Sequence, residues 1–128
     1  MSVEKSKTIV RDFIDRVWNR GYVDEISNYI SPDYEAVGLA SSVKILGIES
    51  VRKNVQELRT EYPDFTIQID DMIAEDDKVA SRLRLRGTPV HQQATTWERG
   101  ALTNPELIFH QIKDGKIIKA WSIASTWR

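Results

Sequence analysis

Tyr62-Pro63-Asp64-Phe65-Thr66-Ile67-Gln68-Ile69-Asp70 is the stretch at which the hydrophobic period of this chain changes. Before it, apolar residues recur at three- and four-residue steps, as on one face of a helix. After it, Phe65, Ile67 and Ile69 alternate with Thr66, Gln68 and Asp70, as on a strand with one buried face. Pro63-Asp64 supplies the break. The period stays near two from there to the C-terminus. Helices first and a meander of strands afterwards make an α+β order, not the alternating order of a parallel α/β fold.

Reading back from this point, Val51, Val55, Leu58 and Tyr62 share one face of a helix opened by Glu49-Ser50. Gly38 to Gly47 is small and polar and is expected to be a loop, preceded by a short strand over Tyr34 to Val37. Ser31-Pro32-Asp33 reads as a turn that stops a short helix over Asp24 to Ile30. A first helix from Glu4 to Arg20 carries the stripe Ile9, Val10, Phe13, Ile14, Val17 and Trp18, and Gly21 ends it.

Reading forward, Asp70-Asp71 predicts a bulge before Met72-Ile73-Ala74, and Glu75-Asp76-Asp77-Lys78 a charged hairpin turn. Val79, Ser81, Leu83 and Leu85 then alternate with Ala80, Arg82, Arg84 and Arg86, which gives one apolar and one cationic face. Gly87 to Pro105 has weak periodicity. A strand starting at Ala101 or Leu102 runs to Lys113, Asp114-Gly115 is a tight turn, and Lys116 to Trp127 alternates as the closing strand.

At 128 residues, 41% hydrophobic and 29% charged, the chain is of a size and composition for one globular domain over residues 1–128. Eighteen basic against 19 acidic residues give a net charge of -1, which argues against nucleic acid or anionic lipid as a partner. Cysteine is absent, removing thiolate chemistry and cysteine–zinc sites. The opening Met1-Ser2-Val3-Glu4-Lys5 leads into an amphipathic segment, so neither signal peptide nor membrane span is expected, and the cytoplasm is the default location.

Several strings in order resemble the SnoaL-like branch of the nuclear transport factor 2-like superfamily. They are Phe13-Ile14-Asp15-Arg16-Val17-Trp18-Asn19-Arg20-Gly21, Ser31-Pro32-Asp33-Tyr34, Gly47-Ile48-Glu49-Ser50, Tyr62-Pro63-Asp64-Phe65, Asp77-Lys78-Val79-Ala80-Ser81-Arg82, Gly87-Thr88, and Asp114-Gly115-Lys116-Ile117 with Trp121. None is specific alone; their order over nearly the whole chain carries the resemblance. It implies a cone-shaped, cystatin-like roll, with about three N-terminal helices on a curved, mainly antiparallel sheet. It also implies an apolar pocket at the wide end and a homodimer through the outer sheet face. Polyketide cyclases of this kind, as the resemblance implies, hold acid–base groups at positions that match Val37, Pro89 and Ser125 here. None of the three can do that work, so the family's usual aldol-type ring closure is in doubt.

The resemblance and the residues together predict a small, largely apolar ligand, with Trp18, Leu83, Leu85, Trp97, Trp121 and Ser125 around it and Tyr34 as a hydrogen-bond donor. The register that carries Trp121, Ile123 and Ser125 inward rests on the family's last strand. His91 and Glu98 are the expected bases at the pocket mouth. His110 alternates with Phe109 and is expected on the outer face if Phe109 faces the core. Asp64 is expected to bond its own turn, and Arg82, Arg84 and Arg86 to lie on a solvated or dimer-facing surface. No metal spacing and no cofactor motif occurs. Two functions stay open: a cyclase, isomerase or hydrolase working without cofactor, and a non-catalytic ligand-binding or dimerisation module.

Overall fold

The computed structural model describes residues 2–39, 44–90 and 102–124. Helix α1 (Val3–Asp12) begins at Ser2, whose side chain accepts a hydrogen bond from the Lys5 backbone N–H. It runs on as a π-helical stretch over Phe13–Asn19, where Arg20 N–H reaches back to the Asp15 carbonyl. Gly21, at φ +75°, ends it as the sequence predicts. The expected second helix is a 3₁₀ turn (Val23–Glu25) followed by the single turn α2 (Ile26–Tyr29). Helix α3 (Gly47–Glu61) starts two residues before the predicted Glu49, at the positive-φ Gly47.

Among the described residues six strands form one sheet: β1 (Ile30–Gly38), β2 (Lys44–Leu46), β3 (Thr66–Glu75), β4 (Lys78–Gly87), β5 (Leu102–Lys113) and β6 (Lys116–Ala124). Their order is β2-β1-β6-β5-β4-β3, with β1–β6 parallel and every other pair antiparallel. With the helices packed on one face of the curved sheet, this is an α+β fold of the nuclear transport factor 2-like kind. One expected strand was too short and another was missed. β1 begins at Ile30, absorbing Ser31-Pro32-Asp33 as an irregularity in its pairing with β6, and Lys44–Leu46 is a paired strand inside the expected loop.

Hairpin turns lie where the sequence places them, with Asp76, Asp114 and Gly115 at positive φ. The predicted bulge is also present: Ile69 pairs with Leu83 and Asp71 with Arg82, leaving Asp70 as the extra residue. A second bulge, in β6, was not anticipated. Ile112 pairs with Ile117 but Gln111 pairs with Lys119, so Ile118 is extra. Each strand residue added in this way sends all later side chains to the opposite face.

That slip overturns two expectations. Ile117 is inward and fully buried, but beyond Ile118 it is Ala120 and Ser122 that face the interior. Trp121 instead pairs with Phe109, which is 49% exposed, and stands over the outer face under the Lys119 ammonium, 5.1 Å from its ring centroid. Ile123 is likewise exposed. His110 also changes sides: it pairs with the fully buried Val79 and is only 2% exposed, while Phe109 pairs with Ala80 on the outer face. The apolar face of β4 dictates this, because inward Val79, Ser81 and Leu83 lie opposite His110, Ile108 and Glu106.

Between sheet and helices lies a core built on Val10, Phe13 and Val17 of the first helix, Ile26 and Ile30, Val51 and Val55 of α3, and Phe65, Val79 and Ile117 of the sheet layer. Full burial of a side chain the size of Phe13 stabilises the fold by roughly 2–3 kcal/mol. Arg59 of α3 ties the helical layer together by donating to the carbonyls of Trp18 and Phe65. Asn19 clamps the helix to β3, donating to the Ile67 carbonyl and accepting from its N–H.

Candidate functional site

The core is not filled to the end of the cone. A cavity of about 210 Å³ opens between the first helix, α3 and the concave face of the sheet. Phe13, Ile14 and Trp18, from the π-helical stretch, form one wall, and Phe65, Ile67, Leu83 and Leu85 of the sheet layer form another. The widened turn matters here, because it lets residues one and five apart share the lining face. The lining also includes polar groups: Tyr34 of β1, Asn54 of α3, Glu106 and His110 of β5, and Ser122 of β6.

Glu106 is a carboxyl group in an apolar setting. Burial holds its pKa above the usual carboxylate range, opposed by the Ser122 hydroxyl, which donates to it. Tyr34 is pushed up as well, first by burial and then by the negative charge of Glu106, so its phenol stays protonated and able to donate. His110 is lowered to about 4 by burial alone, and its imidazole is neutral at physiological pH. Its Nδ1 has no hydrogen-bond partner among the described residues.

Of the sequence-predicted site residues, Trp18, Tyr34, Leu83 and Leu85 line this cavity. Trp121 does not, for the reason given by the Ile118 bulge. His91, Trp97, Glu98 and Ser125 lie outside the described residues. Of the positions matching the family's acid–base groups, Val37 pairs with Trp121 and shares its outward row. Asp64 was expected to bond its own turn; instead its carboxyl accepts chiefly from the Thr88 backbone N–H, 24 residues on, which holds it below the ordinary range. Asp70 pairs with Arg84 at 2.9 Å and with Arg82, so this part of the cationic row is neutralised on the sheet surface. Among the described residues no group of three or more His, Cys, Asp or Glu is placed to hold a metal ion. No helix is long and apolar enough to cross a membrane among those residues.

Sequence reasoning missed Glu106, Ser122, Asn54 and the inward His110. Leu107-Ile108-Phe109 is a continuous apolar run, so alternation alone cannot say which residues of β5 face in. The signal that could have found Glu106 and His110 is the pairing of β5 with β4, whose own alternation is unambiguous.

The element order, the parallel β1–β6 contact and the cavity beneath the first helix define a nuclear transport factor 2-like protein. Within that fold, residues 8–126 match the SnoaL-like polyketide cyclase family, and the chain belongs to it. Solved structures agree on the fold. TsrD from Streptomyces laurentii superposes with a TM-score of 0.81 at 18% identity, over 98% of this chain and 91% of that one. A SnoaL-like polyketide cyclase from Agrobacterium tumefaciens gives 0.78 at 18%, over 98% and 94%. A protein of ketosteroid isomerase-like fold from Catenulispora acidiphila, in complex with trimethylamine, gives 0.74 at 13%, over 89% and 82%. No curated protein matches this chain in sequence.

Proposed function

We propose that the cavity binds a small, largely apolar carbonyl compound and that Glu106 moves a proton on it, as a cyclase or isomerase of this family would. The observation that carries this is a single carboxyl group, desolvated among apolar walls, with a hydroxyl on it and a protonated phenol near it. A pKa raised toward neutrality makes a carboxylate a better base for carbon acids than an exposed one. Glu106 takes the proton α to the carbonyl, the C–H pair moves into the enolate, and the charge on oxygen meets the Tyr34 O–H. Returning the proton elsewhere isomerises the compound; attack of the enolate carbon on a second carbonyl closes a ring. Trp18, Leu83 and Leu85 serve as walls. All of the chemistry uses side chains of this chain.

Size narrows the ligand. An engineered cavity of about 150 Å³ holds benzene, so the space here suits one to two fused rings. The test uses 2-tetralone, whose α-protons exchange with solvent deuterium at a rate read by proton NMR. The native chain is expected to accelerate exchange, and Glu106→Gln to lower that acceleration by about 100-fold or more while still binding 2-naphthol. Equal exchange by the two proteins rejects Glu106 as the base.

A second reading concerns the outer face and is compatible with the first. Ile73, Ala80, Phe109, Trp121 and Val37 form one apolar row across five strands, each paired with the next. The rows beside it carry both signs, Lys119 and Glu35 on one side, Arg82 and Asp71 on the other. A second copy laid on this face by a two-fold axis covers the apolar row, while the flanking charges are already matched within each chain, Lys119 with Glu35 at 3.4 Å and Arg82 with Asp71 at 3.9 Å. This supports a homodimer through the sheet.

A further inference from the structure

His110 sits apart from the polar group centred on Glu106. They stand four positions apart on the inward face of β5, so their Cα atoms are roughly 13 Å apart along the strand, with Ile108 between. Across the ladder, His110 is flanked by Val79 and Ala120, both essentially fully buried, which places the imidazole where the cavity meets the packed core. There it is 2% exposed, lines the cavity, and has an Nδ1 with no partner among the described residues. A buried polar atom without a hydrogen bond is costly, and most native proteins avoid one. The exceptions are commonly filled by water or ligand.

The remaining lining fits the same picture. Phe13, Ile14, Phe65 and Leu83 offer only apolar surface to the middle of the space, and the ionisable groups facing it are Tyr34, Glu106 and His110. No lysine or arginine lines it among the described residues, so nothing is placed to neutralise a ligand anion. We infer that the cavity selects an uncharged, elongated ligand polar at both ends, whose inner hydroxyl or carbonyl bonds His110 Nδ1 while its outer end meets Glu106 and Ser122. The inference rests on the cavity as the ligand site and on Glu106 as its outer polar group. It adds a specificity-determining contact that the proton-transfer step does not need.

The experiment compares 2-naphthol with 2,6-naphthalenediol on the full native chain by titration calorimetry. A hydroxyl can donate or accept, so the second one suits either neutral tautomer of His110. The diol is expected to bind about 3- to 10-fold more tightly, the gain of one buried hydrogen bond. It is also expected to move the ¹⁵N resonance of His110 Nδ1, which 2-naphthol leaves in place. In His110→Phe the preference for the diol over 2-naphthol disappears. Should that variant fail to fold, the ¹⁵N shift in the native protein still decides. Equal affinities with an unmoved resonance overturn the inference and leave Glu106 as base untouched. Binding of neither naphthol overturns it as well. A diol preference in a chain whose deuterium exchange survives Glu106→Gln upholds the His110 contact and rejects the base alone.

Discussion

A neutral imidazole tolerates an apolar interior and an imidazolium does not, which is why burial alone lowers His110 from the ordinary 6.5 to about 4. As pH falls, the unfolded chain takes up this proton before the folded one does. The stability that depends on a neutral His110 is therefore complete above pH 6.5, declines between 6.5 and 4, and is lost below. The full loss is on the order of 3 kcal/mol. Glu25, Glu35, Asp64 and Asp77, all held low by hydrogen-bonding partners, lose their contributions only below their ordinary values of 4.5 and 3.8. Glu106 acts in the opposite sense: its raised pKa favours the folded state as pH falls toward 4.5, and works against it at neutral pH. Glu106→Gln is accordingly expected to stabilise the protein at pH 7 by about 1 kcal/mol. In that background, urea unfolding between pH 7 and 4.5 should show a decline that His110→Gln flattens. Parallel declines in the two proteins would mean that His110 is not buried in its neutral form.

At the level of elements, legibility followed how firmly each residue type commits the backbone. Asp114-Gly115 and the doubled Asp70-Asp71 mark a turn and a bulge because glycine and aspartate accept conformations that other residues resist. The β6 bulge carries no such mark. It falls on Ile117-Ile118, two apolar residues in a row, and either one can be read as inward. One unmarked residue was enough to exchange Trp121 for Ser122 at the cavity, while the helices, turns and strand order remained readable. β4 was readable throughout, since its arginines alternate strictly with apolar residues. Its end is fixed by close packing: a Cβ on Gly87 would meet the Cβ of Tyr62 at 2.9 Å, at the C-terminal end of α3. The helix end or the strand end must then shift. Gly87→Ala is expected to cost about 1–3 kcal/mol, read as a lower urea midpoint with an unchanged slope. A midpoint equal to the native one would show that this junction yields freely.

Across the whole molecule, it is the β5–β6 hairpin whose two faces carry an inverted polarity. The concave face presents Glu106, His110 and Ser122 to the interior, and the convex face presents Leu107, Phe109 and Ile123 at 52%, 49% and 45% exposure. Alternation ties the two together, since a strand that points a carboxyl and an imidazole inward must point Leu107 and Phe109 outward. Of the apolar row, Ile73 and Phe109 are well exposed and Leu107 and Ile123 lie beside it, a grouping of the kind that marks interaction surfaces. On the reading that a second copy covers it, Phe109 lies at the centre of the interface, opposite Trp121 in its own chain. A stable interface of this kind buries about 800 Å² per partner, and a lysine at its centre would place a charge in that layer without a partner. Phe109→Lys is then expected to turn a dimer into a monomer in multi-angle light scattering, weakening association by at least about 100-fold. Because Phe109 points away from the cavity, affinity for 2-naphthol should be unchanged in the monomer. A native chain that already runs as a monomer at high concentration would reject the second copy. A dimer that survives Phe109→Lys would move the interface to another surface.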